Sequence, residues 1–267
     1  MIRLLPLWGA AALFMVAVMT AAWLVQRRTG QGGWADAFWS LGLGAAGVGV
    51  ALFPIDDAAP SARQWLTSAL ICLWGLRLGL HIAARAAHES EDPRYAHLRD
   101  QWGASFQPRM FGFLMLQAGA AAFLVLSILL AARNPTPGLT LQDGLAGLMF
   151  ASALLGETIA DRQLAAFKAD PAHRGQVCDV GLWGWSRHPN YFFEWLSWCA
   201  WPVFAIELSG AWPWGWLALS GPVYIYWLLT RVSGVPLLEA HMRRSRPEAF
   251  AAYVARTSAF FPRPPRR

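Results

Sequence analysis

Apolar residues gather along this chain into runs near twenty residues long, and the gaps between them hold most of the Pro, Arg and acidic side chains. Crossing the hydrocarbon core of a bilayer as a helix takes about 20 apolar residues. Seven runs approach that length: 7–25, 34–55, 65–86, 110–131, 141–160, 190–208 and 212–232. None shows the alternating pattern of a membrane barrel strand. The pattern therefore predicts an all-α polytopic protein, a bundle of seven transmembrane helices forming a single membrane domain over 1–267. Only Arg3 precedes the first run, and Gln26-Arg27-Arg28 follows it in place of a small-residue cleavage site. It is expected to stay as a helix and not to be removed as a signal.

Composition supports this reading. Hydrophobic residues make up 56% and charged residues 14%, well short of the roughly 25% charge that gives a soluble domain its aqueous exterior. Disorder is excluded by the same abundance of apolar surface. The net charge of +6 points to membrane topology and anionic lipid headgroups, not to nucleic acid. Cys72, Cys178 and Cys199 are scattered, without CxxC or metal-ligand spacing, and read as small hydrophobes; no metal site is expected.

Charge also gives an orientation. If Arg27 and Arg28 are cytoplasmic, so are the loops 86–109 and 161–189 and the tail 233–267. Those regions and the span ends beside them hold Arg85, Arg94, Arg99, Arg109, Arg162, Lys168, Arg174, Arg187, Arg231 and the tail arginines. The other side keeps Arg3, Arg63 and Arg133, with Asp56 and Asp57. The asymmetry predicts N-terminus out and C-terminus in, with the chemistry on the cytoplasmic face.

Ionisable side chains at membrane depth are costly and mark partners or wet cavities. Here they are Asp36, Arg77, His81, Glu157, Asp161, Glu194 and Arg231. Arg77 and His81, Glu157 and Asp161, and Asn190 and Glu194 are each four apart, so each pair shares a helix face. Internal salt bridges that set packing and a shared polar cavity both account for them. The densest segment is Gly181-Leu182-Trp183-Gly184-Trp185-Ser186-Arg187-His188-Pro189-Asn190-Tyr191-Phe192-Phe193-Glu194. Ser186 suits a helix cap and Pro189 a first turn. Arg187 and His188 beside that helix start suit an anion. In the tail, basic residues serve lipid attachment, whereas Glu239 and His241 add nothing to it. Gly42, Gly44 and Gly47 match a dinucleotide fingerprint but lie inside an apolar span, so close helix contact is expected there, as for Gly75 and Gly79.

With these residues in view, the chain resembles the steroid 5-alpha-reductase-like membrane proteins, in their bacterial DUF1295 branch. The resemblance rests on Asp36-Ala37-Phe38-Trp39, Leu73-Trp74-Gly75-Leu76-Arg77-Leu78, Glu91-Asp92-Pro93-Arg94-Tyr95, the Ser186–Glu194 segment and the Arg256–Pro262 tail. It implies a reductase in a bacterial inner membrane that binds NADPH from the cytoplasmic side. It further implies cofactor contacts at Arg77, Glu157, Asp161, Asn190, Tyr191 and Glu194, and more loosely at Glu239 and His241. The Gln-Glu-Leu-Pro motif of the steroid enzymes is absent, and Trp74 stands where they have a tyrosine.

The implied activity is reduction of a C=C bond conjugated to a carbonyl in a lipophilic substrate that enters from the bilayer. Asp36 is the candidate acid and Trp74 a substrate-side residue, while Arg77, Arg174, Arg187 and Arg243 or Arg244 are the candidates for the cofactor's phosphates, with His188 beside Arg187 at the helix start. No obligatory protein partner is implied. Two rival readings remain: an S-adenosylmethionine-dependent methyltransferase resembling the isoprenylcysteine carboxyl methyltransferases, which share the Arg-His-Pro-x-Tyr segment, and a non-catalytic lipid-binding scaffold.

Overall fold

The computed structural model of the chain describes residues 2–55, 58–88 and 91–266; Asp56 and Asp57 of the charge argument lie outside them. The described residues are helical, with one isolated parallel bridge between Ser186 and Ser258. The principal helices are α1 (Leu5–Thr29), α2 (Trp34–Leu52), α3 (Ala62–His88), α4 (Pro93–Trp102), α5 (Phe106–Ala132), α6 (Leu141–Ala169), α7 (Pro189–Ala205), α8 (Ser220–Trp227), α9 (Val235–Ser245) and α10 (Pro247–Arg256).

Five helical stretches are long and apolar enough to cross a membrane: Ile2–Thr29, Trp34–Leu52, Ala62–His88, Arg94–Ala132 and Leu141–Ala169. Leu13, Leu116, Leu148 and Leu155 on them are more than 60% exposed. That arrangement is a fault in water and the normal condition of a lipid-facing surface. The chain reads as an integral membrane protein. The last two apolar runs take a different form from the first five. The sixth becomes the 17-residue α7 with Pro202 inside it. The seventh divides into a 3-10 turn Pro213–Leu219, the eight-residue α8 and a π turn Leu228–Val232. Pro213, Gly215 and the Gly221-Pro222 pair are the cause, because Pro removes a backbone donor and Gly weakens the helix.

The chain divides into two compact units. The first runs to Thr140 and takes back Phe204–Ala218; the second comprises Leu141–Val203 and the chain from Leu219 onward.

In the first unit, α2 packs on α1, α3 and α5. Glycine makes the α2–α3 approach close. A Cβ on Gly75 would stand 2.9 Å from the Gly44 Cα, and one on Gly79 would stand 2.5 Å from the Leu41 side chain. The glycines that mimic a nucleotide fingerprint are thus contact points, as expected. Trp8 and Trp39 donate their indole N–H to the Ala122 and Gln117 carbonyls at 2.7 and 3.0 Å, tying α1 and α2 to α5. Arginines tie down both ends of the unit. At one end the buried Arg63 donates to the carbonyls of Asn134, Thr136 and Gly138, and Arg133 donates to those of Val50 and Phe53. At the other, Arg94 and Arg99 meet Asp36, Asp92 and Glu91.

Candidate functional site

The second unit gathers most of the residues that the sequence singled out. Its foundation is α6. Gln163 accepts the Leu182 N–H at 3.0 Å, and Ala160 accepts the Trp183 indole at 2.9 Å, so α6 holds the 181–184 turn. Gly181 enters that turn with φ +56°, a backbone state that costs glycine little. Ser186 is fully buried and its hydroxyl donates to the Phe260 carbonyl at 2.8 Å. The same oxygen accepts the His188 N–H at 3.1 Å, a local turn that feeds α7 without reaching into its first turn. Pro189 then opens α7 as the sequence predicts.

The end of the chain returns to this segment. Arg187 N–H donates to the Ser258 carbonyl at 2.8 Å, and Arg263 N–H donates to the Trp185 carbonyl at 3.0 Å. Tyr253, from α10, donates to the Trp183 carbonyl at 2.6 Å, and burial pushes its phenol pKa up.

Glu239 of α9 is the electrostatic centre. Its Oε1 accepts from Arg187 Nε at 2.9 Å and Nη2 at 2.8 Å, with His188 Nε2 at 3.3 Å; its Oε2 accepts from Arg243 at 3.3 Å. Burial acts to raise the Glu239 pKa, but the hydrogen bonds from His188 and Arg187 and the Arg187 charge outweigh it and hold the carboxyl down at about 2. Arg187 also donates to the Thr257 carbonyl at 2.6 Å. Its guanidinium is therefore committed inside the protein, so Arg187 serves to position its neighbours. His188 stacks on Tyr191 with ring centroids 5.6 Å apart.

The α6 and α7 faces meet beside this cluster. Asn190 donates to Asp161 at 3.3 Å, and both side chains stay partly exposed. One turn along, Glu194 accepts the Trp198 indole N–H at 2.8 Å. Glu157 is buried one turn before Asp161 on α6. Gly156 lets the two helices close: a Cβ there would stand 2.4 Å from the Phe193 ring.

Not every candidate joins this set. His241 is two residues beyond Glu239 on α9, which turns it to the opposite face, and it is exposed. Arg174 is exposed on the turn that follows Pro171–His173. Asp36, Trp74 and Arg77 belong to the first unit. Asp36 accepts from Arg94 at 2.6 Å and from the Tyr95 hydroxyl at 2.8 Å, both from α4. Within that trio the side-chain hydroxyl belongs to the buried Tyr95. Asp92 caps α4 through the Arg94 N–H. Burial acts to raise its pKa, but the bond and charge of Arg94 prevail and lower it. Trp74 is 1% exposed, edge-on to Trp39 at 6.4 Å.

Among the described residues no group of His, Cys, Asp or Glu is arranged to hold a metal ion. A family model described as "Protein of unknown function (DUF1295)" matches residues 22–257. The chain belongs to the DUF1295 family. This is the steroid 5-alpha-reductase-like family to which the sequence motifs point. The match spans all of the cluster from Glu157 to Thr257 and stops short of the Phe260–Arg266 segment. No curated protein and no solved structure matches the chain.

Proposed function

We propose that the chain is an NADPH-dependent membrane reductase of a C=C bond conjugated to a carbonyl in a lipophilic substrate. The observation that carries the reading is the Asn190–Asp161 bond, which places an amide and a carboxylate side by side beside the Glu239 cluster. The residues present fit the cofactor's chemistry. Asp161 and Glu194 offer acceptors for ribose hydroxyls and a carboxamide N–H, and the second N–H of Asn190 remains for a carbonyl. Arg174 and Arg243 are the cations for phosphate groups, because both are exposed, Arg243 even while it bonds Glu239 at 3.3 Å, whereas Arg187 is enclosed. When bound, NADPH supplies the hydride.

The chain's own contribution is orientation and charge. Asp161 fixes the Asn190 amide, and the Arg187–Glu239–His188 network holds the start of α7 so that Asn190 and Glu194 keep their positions. The proposal keeps seven spans, the N-terminus outside and the site facing the cytoplasm, with the substrate entering from lipid.

The test is thermal unfolding of the purified full chain with NADPH, NADH and S-adenosylmethionine in parallel. A ligand that binds only the folded state raises stability by about 2.7 kcal/mol at a hundredfold excess over its dissociation constant. The reading requires stabilisation by NADPH, reduced at least tenfold in apparent affinity by Asp161→Ala and by Asn190→Ala. Stabilisation by S-adenosylmethionine alone overturns it in favour of a methyltransferase. A folded chain that responds to none of the three overturns it in favour of a scaffold.

A further inference from the structure

The tail that returns over Ser186 and Arg187 leaves a cleft of about 410 Å³ whose wall carries Arg187, Arg256, Arg263 and Arg266, and no carboxylate lies among the described lining residues. Two of these charges are balanced by carboxylates outside the lining: Arg187 by Glu239, and Arg256 by Asp179. Arg263 and Arg266 are exposed, and among the described residues no carboxylate pairs with either.

Their backbone is nevertheless fixed. The Arg263 N–H is bonded to the Trp185 carbonyl at 3.0 Å and the Arg266 N–H to the Arg256 carbonyl at 2.9 Å. Pro262 and Pro264 flank Arg263, Pro265 precedes Arg266, and the three restrict φ along the segment. A chain end that merely held the protein at a lipid surface would need neither these bonds nor a cavity. Like charges gathered on one wall repel, and the cost is recovered when an anion sits between them. Guanidinium groups match the oxygens of phosphate in paired hydrogen bonds, and the cavity has room for a phosphate group with its substituent.

We propose that this cleft binds a phosphate-bearing anion, either a lipid headgroup or a free phosphate ester, with Arg263 and Arg266 as its chief contacts. The inference goes beyond the reductase reading, whose contacts, Asp161, Arg174, Asn190, Glu194 and Arg243, all lie outside the lining of this cleft.

The full chain is placed in nanodiscs of phosphatidylcholine alone or of phosphatidylcholine with phosphatidylglycerol. Hydrogen exchange over 254–266 is followed with and without inorganic pyrophosphate, against sodium chloride at matched ionic strength. Slower exchange in phosphatidylglycerol discs, unaltered by pyrophosphate, identifies a headgroup site. Slower exchange on adding pyrophosphate to neutral discs identifies a free phosphate ester. In both cases Arg263→Gln and Arg266→Gln each weaken the response on the order of fivefold. Both side chains are exposed, so the variants keep the wild-type unfolding temperature when no probe is present. Three results overturn the proposal: exchange unaffected by either probe, an equal effect from sodium chloride, or a double variant that responds like the wild type.

Discussion

Removing the Glu239 carboxylate leaves Arg187 and His188 facing each other where only 10% and 8% of their side chains reach the surface. Breaking a buried pair from one side typically costs 3–5 kcal/mol, because the remaining charge keeps its desolvation penalty. Glu239→Ala is expected to lower the stability of the purified protein by about that amount in denaturant unfolding. The same carboxyl gives a pH signature. It is held at about 2 against an ordinary 4.5, so the folded state binds the proton less readily than the unfolded state. Its contribution is complete above about pH 4.5 and is lost as pH falls toward 2. The difference in stability between wild type and Glu239→Gln, measured from pH 6 downward, should shrink across that window. A constant difference would show that the network is not charged. At this scale the sequence was informative about side chains and silent about backbone. Arg187, His188 and Glu239 stood out by type, whereas the carbonyls of Ser258, Thr257 and Phe260 that complete the site carry no residue signature. Tyr95 was in view as part of a motif, but its bond to Asp36 joins residues 59 positions apart.

Helix contacts are the next scale, and glycine decides them. Gly75→Val puts branched carbons into the Gly44 backbone and is expected to cost about 1–3 kcal/mol, the usual range for overpacking. Gly49→Ala on the same α2 is the matching control. Nothing lies within 4 Å of a Cβ there, so a neutral or slightly stabilising effect is expected from helix propensity. Thermal unfolding of the two variants separates them; equal losses would mean that glycine acts through helix flexibility and not through contact. The GxGxxG spacing and the Gly75/Gly79 spacing were both legible as close-contact signals because small residues at helical intervals have one common use inside an apolar span. The shape of the last apolar run was less legible. Its hydropathy resembles that of the others, but Pro213 and Gly221-Pro222 fall where they break hydrogen-bond continuity, and the result is three short pieces ending in a π turn.

For the whole molecule, the number of bilayer crossings turns on α7 and the broken α8 region. Five stretches satisfy length and hydropathy as continuous helices, while the seven-span proposal also needs α7 and the broken α8 region to cross. The two counts differ in testable ways. In a cysteine-free chain with seven spans, Arg28→Cys, Arg174→Cys and Ser245→Cys should all be shielded from an impermeant maleimide in intact cells, while Pro137→Cys and the exposed Ser209→Cys should react; with five spans Ser209→Cys is shielded as well. A shielded Ser209→Cys would leave no crossing after α6, and labelling of Ser245→Cys from outside would leave one; either result overturns the seven-span topology.

Sequence by itself determined the helical class and the family, because apolar run length and a few dense motifs are local properties of the chain. It also marked Glu157, Asp161, Asn190 and Glu194, since a charged or amide group at membrane depth is costly wherever it points. Tertiary structure decided which of these meet. Asp161 reaches Asn190, Glu239 takes Arg187 and His188, Asp36 takes Arg94 and Tyr95, and His241 faces away from its neighbour's cluster. Pairing across tens of residues depends on how far each helix is rotated and where the tail comes to rest. Packing sets both, and no local spacing encodes them.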